Sequence, residues 1–391
     1  MKVLHIGKYY YPFFGGIEKV NQDLVENNVY REVVTPFVLA HHDTAGVASE
    51  LSKINQVQVL KVKLNGVVAY APIASSFLQQ LNKVIDDFQP DLIHIHMPNL
   101  SAFACLFSKK ARKIPWVVHW HSDVIGAVPD LKIKLLYPFY RVLEKRLLTI
   151  ARKILVTSPP YLEHSVGLNA FKDKCCVIPI GIRNLAVEPP CAQTIEQLNL
   201  LMIGRLTYYK GHSLLLKAIA KLPSGVSVNL SIIGDGELKD ELIAQSAVLG
   251  LQSRVNFLGR VSDSEIATQL ANTDLLCLPS IEKTEAFGVV LLEAAMHSKP
   301  ALVTDVEGSG MSWVVQDGLT GYVVKNNSVD ALYEKLIEIY NNKANLLTLG
   351  VNAKRRFDEV FNLDQVAAQT SQVYKQIISD KAMLNNEYHL D

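Results

Sequence analysis

The sequence of 391 residues is poor in cysteine and has no long apolar run. Its five cysteines are odd in number, and none of them has a metal-ligand or Cys-x-x-Cys spacing. This excludes a disulfide framework or zinc finger, and reduced thiols in a cytoplasmic protein are the simplest interpretation. No run reaches the roughly 18 to 20 apolar residues that cross a membrane. The amino terminus leads directly into a predicted strand without a signal-peptide pattern, so we expect a cytoplasmic location.

Two functional patterns are also missing. No Asp-x-Asp sequence lies at the end of a predicted strand, so we expect no essential divalent ion. We expect no bound cofactor either. No recognised nucleic-acid motif is present, so we expect no nucleic-acid partner. The composition of 49% hydrophobic and 20% charged residues excludes a disordered or fibrous protein. The length favours two domains.

The net charge of +1 conceals an uneven distribution. Residues 1–183 carry 22 Lys and Arg against 14 Asp and Glu, whereas the rest carry 17 against 24. The most basic apolar segment, residues 131–153, contains Lys132, Lys134, Arg141, Lys145, Arg146, Arg152 and Lys153. Such a helix suits an anionic membrane surface, which would place the protein on the inner face of the membrane. A core-packing helix with a solvated basic face is the alternative.

Apolar segments typical of buried strands alternate with helical patterns along the chain. In the first half, strands are predicted at residues 3–6, 33–39, 57–62, 92–95, 116–120, 154–157 and 177–180. In the second half they are predicted at residues 198–203, 226–233, 255–258, 274–278, 301–303 and 321–324. The helical patterns include residues 76–88, 101–113, 131–151, 212–222, 237–249, 328–340 and 364–381. The alternation predicts an α/β fold with two covered parallel sheets.

Domain boundaries follow from one irregular stretch. Residues 184–196 include Pro189 and Pro190 and have no clear period, which predicts a linker. We therefore predict a first domain over residues 1–183 and a second over residues 197–363. Residues 364–391 form a last helix and tail.

The segment Glu-Ala-Phe-Gly-Val-Val-Leu-Leu-Glu places two carboxylates, Glu285 and Glu293, on either side of a predicted helix start. The helix is predicted to begin at Gly288, because no Gly or Pro follows before His297. Glu285 then lies beside unpaired backbone N–H groups, and Glu293 lies about one and a half turns into the helix. Two acceptor-only carboxylates suit a polyhydroxyl ligand such as a sugar or ribose. Two solvated glutamates on an amphipathic helix are the alternative.

A second motif, Gly-Arg-x4-Lys-Gly, follows the strand predicted at residues 198–203. It is not a Walker A sequence, but it places Arg205 and Lys210 on a strand-to-helix loop. Arginine can grip two oxygens and lysine supplies a compact charge, so the loop suits a diphosphate.

In this order, the two motifs resemble those of the retaining nucleotide-sugar glycosyltransferases of family 4, the group 1 type found in bacterial surface-polysaccharide synthesis. The resemblance extends to the turns at residues 233–237, 255–260, 304–310 and 317–322. It implies the GT-B fold, in which two Rossmann-like parallel-sheet domains face each other across a cleft. It also implies that the last helix crosses back onto the first domain.

Two loops of the first half follow predicted strands and are candidate ligand sites, because ligands of open parallel sheets bind at the carboxyl ends of strands. Gly15 and Gly16 resemble the family's glycine loop, which brings backbone N–H groups close to a phosphate. A plain turn is the alternative. His119 and His121 point to one face of their strand by alternation. His121 matches the family's active-site histidine, and we interpret His119 as a packed core residue.

The resemblance implies a metal-independent hexosyltransferase that uses a UDP- or GDP-linked sugar and retains the anomeric configuration. The implied acceptor is a glycan or lipid-linked saccharide in O-antigen, capsule or lipopolysaccharide synthesis. The implied catalytic residues are His121, Glu285, Arg205 and Lys210. The implied donor-binding residues are Gly15, Gly16, Arg205, Lys210, Glu285, Ala286, Phe287, Gly288 and Glu293.

Two other classes of protein stay open. A sugar-nucleotide epimerase on the same fold converts its nucleotide sugar without an acceptor. A non-catalytic scaffold subunit has no need for Arg205, Lys210, Glu285 and Glu293 together.

Overall fold

The computed structural model describes residues 1–13, 15–68, 71–124, 131–185 and 196–387. The chain divides into two compact units. The first consists of Met1–Thr157, Leu162–Arg183 and Leu363–Asp391, and the second of Ser158–Tyr161 and Asn184–Asn362. Of the linker predicted over residues 184–196, residues 186–195 lie outside the described residues.

The first unit contains an eight-stranded and a two-stranded sheet. Its strands are β1 (Lys2–Ile6), β2 (Thr35–Ala45), β3 (Glu50–Ile54), β4 (Val57–Leu64), β5 (Gly66–Val68), β6 (Ala71–Ile73), β7 (Leu92–Met97), β8 (Trp116–Trp120), β9 (Lys153–Val156) and β10 (Cys175–Val177). The order across the large sheet is β10-β9-β8-β7-β1-β2-β4-β3, with only β3 and β4 antiparallel. Every residue of β7 and β8 is buried, as expected for central strands of a parallel sheet.

The second unit contains a fully parallel six-stranded sheet. Its strands are β11 (Leu198–Ile203), β12 (Val228–Ile233), β13 (Val255–Gly259), β14 (Leu275–Leu278), β15 (Ala301–Thr304) and β16 (Gly321–Val324). The order β13-β12-β11-β14-β15-β16 reverses direction between β11 and β14. In the first unit the corresponding reversal lies between β1 and β7. Ligands of open α/β sheets bind outside the strand ends at such switch points.

Fourteen α-helices connect and follow the strands in the described part of the chain. They are α1 (Gly16–Glu26), α2 (Asn28–Val33), α3 (Phe77–Phe88), α4 (Ala104–Phe107), α5 (Leu131–Ile150), α6 (Pro159–His164), α7 (His212–Ala220), α8 (Lys239–Val248), α9 (Asp263–Ala271), α10 (Val289–Met296), α11 (Met311–Val314), α12 (Val329–Asn341), α13 (Asn345–Arg356) and α14 (Leu363–Glu387). Short 3₁₀ segments lie between several of them, and a π-helical turn, Phe357–Phe361, follows α13.

The last helix, α14, belongs to the first unit and packs on α1 and α2. Its buried residues Val366, Ala367, Tyr374 and Ile377 join a core cluster with residues of the sheet and of α1 and α2. Residues of α14 therefore complete an apolar core that also contains residues of β1, α1 and α2.

Some sequence predictions were wrong in detail. The single helix expected over residues 101–113 is a 3₁₀ turn, the short helix α4 and a second 3₁₀ turn. Ser108 ends α4 because its hydroxyl accepts a bond from the Ala111 N–H and donates to Asn82, which competes with helix continuation. By contrast, the helix predicted over residues 131–151 closely matches α5, which ends at Ile150, and Lys153 begins β9.

Candidate active site

The cation motif occupies the loop between β11 and α7, at the switch point of the second sheet. Gly211 caps α7 with φ of +76°. A Cβ atom added at Gly211 would lie 2.0 Å from the carbonyl oxygen of Pro279, which follows β14. Both the backbone angle and this close approach require glycine. The loop after β11 is thus held against the loop after β14.

This approach brings the two predicted motifs together. Lys210 Nζ forms an ion pair with the Glu285 carboxylate, and their side chains are only 12% and 11% exposed. Ser280 Oγ donates to the same carboxylate at 3.4 Å. The Ser309 hydroxyl donates to the Glu285 carbonyl oxygen. A cation and a carboxylate from distant parts of the sequence therefore share one largely desolvated position.

Arg205 has a different partner. Its guanidinium lies 3.1 Å from the Glu237 carboxylate, and the Arg205 side chain is 72% exposed. A hydrogen bond from the Thr207 hydroxyl, and then the backbone and Arg205, lower the pKa of Glu237. Exposed ion pairs contribute little to stability, so this guanidinium can exchange partners at small cost.

The helix after Glu285 begins as predicted. Gly288 caps α10 with φ of +80°, and Glu293 lies half-buried in the second turn. The Phe287 ring is buried against Trp313 and Phe361, with centroid distances of 6.3 and 6.0 Å. The Phe287 ring therefore anchors the loop in the core and is not itself available to a ligand.

The glycine loop lies between β1 and α1 of the first unit. Gly15 caps α1, and a Cβ atom there would lie 2.2 Å from a carboxylate oxygen of Glu18. A Cβ atom at Gly16 would contact nothing within 4 Å. Burial raises the pKa of Glu18, and the nearby Lys8 opposes that shift. The helix start thus already holds a carboxylate whose negative charge is disfavoured.

Five histidines form a buried cluster across β1, β7 and β8. None is more than 6% exposed, and the set consists of His5, His94, His96, His119 and His121. Strand register explains their proximity: His5 pairs with His94 across β1 and β7, and His96 pairs with His119 across β7 and β8. The rings stack, with centroids 4.1 Å apart for His119 and His121 and 4.4 Å for His94 and His96.

Burial keeps these imidazoles neutral. It lowers the pKa of His5 and of His119 to about 3. Burial, and then repulsion from neighbouring histidines, lowers the pKa of His94, His96 and His121 well below the usual value. His121 Nε2 lies 3.1 Å from His96 Nδ1. Among the described residues, neither ring nitrogen of His119 has a hydrogen-bond partner, and its ring stacks on that of His121.

Sequence reasoning missed several members of these arrangements. Glu237, Ser280 and Ser309 come from turns whose neighbours depend on strand order. His5 could have been found, because residues in register on adjacent parallel strands share a face.

Both units match profiles of glycosyl transferases. Residues 15–181 match the profile "Glycosyl transferase 4-like domain", and residues 194–356 match "Glycosyl transferases group 1". The chain is 31% identical to O-antigen chain mannosyltransferase C of Escherichia coli, over 98% of this chain and 100% of the relative. It is 29% identical to D-rhamnosyltransferase WbpZ of Pseudomonas aeruginosa, over 92% of each. Its fold is similar to that of Anabaena Alr3699/HepE in complex with UDP, with a TM-score of 0.74 and 19% identity, over 96% of this chain and 100% of that one.

Acidification is expected to destabilise the first unit as the pH falls from about 6.5 towards about 3. Over this range the unfolded chain binds protons on the clustered histidines and the folded chain does not, so the free energy of unfolding decreases. Each such histidine contributes a slope of about 1.4 kcal/mol per pH unit.

Tryptophan fluorescence of a Trp313→Phe variant measures this transition, because Trp116 and Trp120 then report on the first unit alone. His119→Leu should move the acid transition to lower pH. His164→Gln, which removes an exposed histidine, should leave it in place. An unchanged acid midpoint in His119→Leu would contradict the prediction that the buried His119 stays neutral in the folded protein.

Proposed function

The chain belongs to the group 1 glycosyl transferases, and from this membership we propose that it moves a hexose from a nucleotide diphosphate sugar to a saccharide acceptor with retention at the anomeric carbon. Its architecture of two Rossmann-like parallel-sheet units is of the GT-B type. The observation that carries the proposal is the ion pair between Lys210 and Glu285 at the switch point of the second sheet.

The loop after β11 is the proposed binding site for the diphosphate of the donor. In this proposal Lys210 and Arg205 bind it and stabilise the negative charge that builds on the leaving group. Glu285 holds the Lys210 ammonium in place beforehand, so the cation needs little reorganisation during the reaction. Arg205 exchanges Glu237 for a phosphate oxygen. The two cations supply the charge that a metal ion supplies in other transferases, so no divalent ion is required.

The rest of the donor follows from the same loop and helix. Glu285 and the backbone from Ala286 to Gly288 bind the hydroxyls of the transferred sugar, and Glu293 binds the ribose. The nucleotide is UDP- or GDP-linked. The crystal structure of HepE, which shares this fold, contains UDP, and this supports a nucleoside diphosphate as the common part of the ligand.

The first unit contributes to the same reaction in this proposal. The backbone at Gly15 and Gly16 approaches a donor phosphate, which is compatible with Glu18 because burial disfavours the charge of that carboxylate. His121 contacts the donor sugar near its anomeric centre. The departing phosphate takes the acceptor proton, so no side chain is assigned as general base.

A glycan or lipid-linked saccharide is the proposed acceptor. Relatives named as an O-antigen chain mannosyltransferase and a D-rhamnosyltransferase support a role in bacterial surface-polysaccharide synthesis. The acceptor of such a pathway lies at the cytoplasmic face of a membrane, and the protein is proposed to act there.

Helix α5 offers a surface for that membrane. Leu136, Phe139 and Val142 are 48%, 71% and 68% exposed and recur at helical spacing, with the exposed Lys145 and Arg146 beside them. Apolar side chains flanked by cations bind the interface of an anionic bilayer. The Lys132 and Lys134 side chains lie outside the described residues. In the part of the chain that the structure describes, every helix is too short or too polar to span a bilayer.

Loss of either loop cation is expected to slow transfer. Lys210→Ala and Arg205→Ala should each lower kcat by roughly 10²-fold or more, because a preorganised donor is lost. Lys210→Ala should also lower the melting temperature, since Glu285 is left largely buried without its cation. Lys221→Ala, which breaks an exposed ion pair in the same unit, should change neither value.

The same assay tests the reaction class. Full activity in a chelator supports cation-based catalysis, whereas loss that magnesium or manganese restores would refute it. Conversion of the donor alone into an epimer would show that the transferase proposal is wrong.

The two glutamates are expected to separate nucleotide binding from transfer. Glu293→Ala should weaken nucleoside diphosphate binding roughly 10- to 100-fold, because a charged hydrogen-bond acceptor is worth about 1.5–3 kcal/mol. Glu285→Ala should leave that affinity unchanged or higher, since Lys210 loses a competing partner, while transfer falls strongly. Calorimetry with UDP and GDP, with Glu338→Ala as an exposed control, measures the difference. The opposite pattern would mean that the two roles are exchanged.

Membrane binding is expected to depend on the exposed face of α5. Phe139→Ser combined with Val142→Ser should reduce cosedimentation with vesicles that contain anionic lipid, because the apolar contact is lost. Phe107→Ser combined with Val166→Ser removes side chains of similar exposure elsewhere and is the matched control. Equal binding by the two double variants would rule out α5 as the contact.

A further inference from the structure

A continuous hydrogen-bonded chain of buried side chains links His121 to the last helix. His121 contacts His96 at 3.1 Å, and His96 contacts His5 at 3.4 Å. His5 contacts the Tyr30 hydroxyl at 2.7 Å, and that hydroxyl contacts Tyr374 of α14 at 3.3 Å. All five side chains are at most 6% exposed, so each bond is shielded from water.

The Tyr30 hydroxyl determines which group donates and which accepts in every bond of this hydrogen-bonded series. Tyr30 donates its only proton to the Tyr374 oxygen, so it must accept from His5 Nε2. The Tyr374 proton is free to go to His94 Nδ1, which lies beside it. His5 therefore carries its proton on Nε2.

The same rule applies to the next two histidines, because a neutral imidazole has one donor and one acceptor nitrogen. His5 Nδ1 accepts from His96 Nε2, and His96 Nδ1 accepts from His121 Nε2. His121 is left with a bare Nδ1. Among the described residues, that nitrogen has no hydrogen-bond partner and is buried.

We propose that Tyr30 and Tyr374 are positioning residues that hold His121, through His5 and His96, in the Nε2–H tautomer. The free Nδ1 lone pair is then the acceptor that His121 offers to a hydroxyl of the donor sugar, and because this nitrogen is buried, neighbouring side chains must move to uncover it when the sugar binds. The second step rests on the proposed function of His121, whereas the tautomer itself does not. In this way α14 sets the hydrogen-bonding character of a residue at the end of β8.

A metal ion is the competing use of these histidines. His5, His94 and His96 form one group and His96, His119 and His121 another, with ligand atoms within 4.8 Å of one another. Zinc bonds of 2.0–2.1 Å in a tetrahedron need nitrogen atoms about 3.3 Å apart. Stacked rings, such as His119 and His121 at an interplanar angle of 20°, direct their in-plane lone pairs along similar lines rather than to one point. The hydrogen-bonded chain fits this arrangement better.

Nitrogen-15 NMR of histidine-labelled protein tests the tautomer directly. Two-bond proton–nitrogen correlations identify the protonated ring nitrogen, and the His121→Gln variant assigns the signal. The expected result is a neutral His121 with its proton on Nε2. A proton on Nδ1, or one equivalent of tightly bound zinc in the purified protein, would overturn the proposal.

Deletion of the Tyr30 hydroxyl tests the positioning role. In Tyr30→Phe, the His5 Nε2–H loses its acceptor, so the native direction of the hydrogen bonds loses its advantage and Nδ1–H signal should appear at His121. The kcat for transfer should fall about tenfold, as a 1.4 kcal/mol change in the tautomer equilibrium implies. Nucleoside diphosphate affinity should stay the same. If this variant does not fold, Tyr374→Phe interrupts the same chain.

Tyr10→Phe is the matched control. Tyr10 is a tyrosine of the same core that is 1% exposed and donates to Glu26, outside the chain. It should alter neither the His121 tautomer nor kcat. A shifted tautomer with unchanged transfer would overturn the positioning role. Unchanged transfer in His121→Ala would instead refute the proposed role of His121 and leave the tautomer assignment standing.

Discussion

A buried polar side chain must find its partner inside the protein, and both candidate sites depend on this constraint. Water cannot satisfy such groups, and an unpaired one costs about 1–3 kcal/mol. In the first unit the requirement is largely met by imidazole and phenol groups that bond to one another across β1, β7 and α14, with His119 as an exception among the described residues. In the second unit it is met by charge, where Lys210 and Glu285 neutralise each other.

The buried histidine cluster and the Lys210–Glu285 ion pair give the two units different chemical properties. Neutral, stacked rings create a region in which positive charge is disfavoured and hydrogen-bond direction is fixed. The ion pair holds a cation that an anionic ligand can take over without moving it far. Gly211 makes the second arrangement specific, because only a residue without a side chain lets the loop after β11 approach Pro279. A single larger residue there would separate the cation from the carboxylate.

Strong local signals account for what the sequence could predict. The strands Trp116–Trp120, Leu198–Ile203 and Gly321–Val324 have the predicted bounds because they are mainly apolar, and α10 starts after Gly288 as expected. The strands β3, β5 and β6 were missed, since short or exposed strands have little apolar pattern. The partners of Arg205 and of His121 were also missed. They depend on which strands are neighbours, which local patterns do not contain, and the roles of these residues stay predictions.

The membership of α14 in the first unit affects how the protein forms during synthesis. The second unit, Asn184–Asn362, is continuous except for Ser158–Tyr161, so most of its contacts are available once residue 362 has been made. The first unit lacks Tyr374 and the rest of the α14 core until residues 363–387 have been made. The part of the first unit that is already synthesised therefore leaves exposed the apolar surface that α14 later covers. The second unit can fold during this time. Chaperones that shield exposed apolar surface have their longest period of access to this face, and chains truncated before α14 are expected to aggregate.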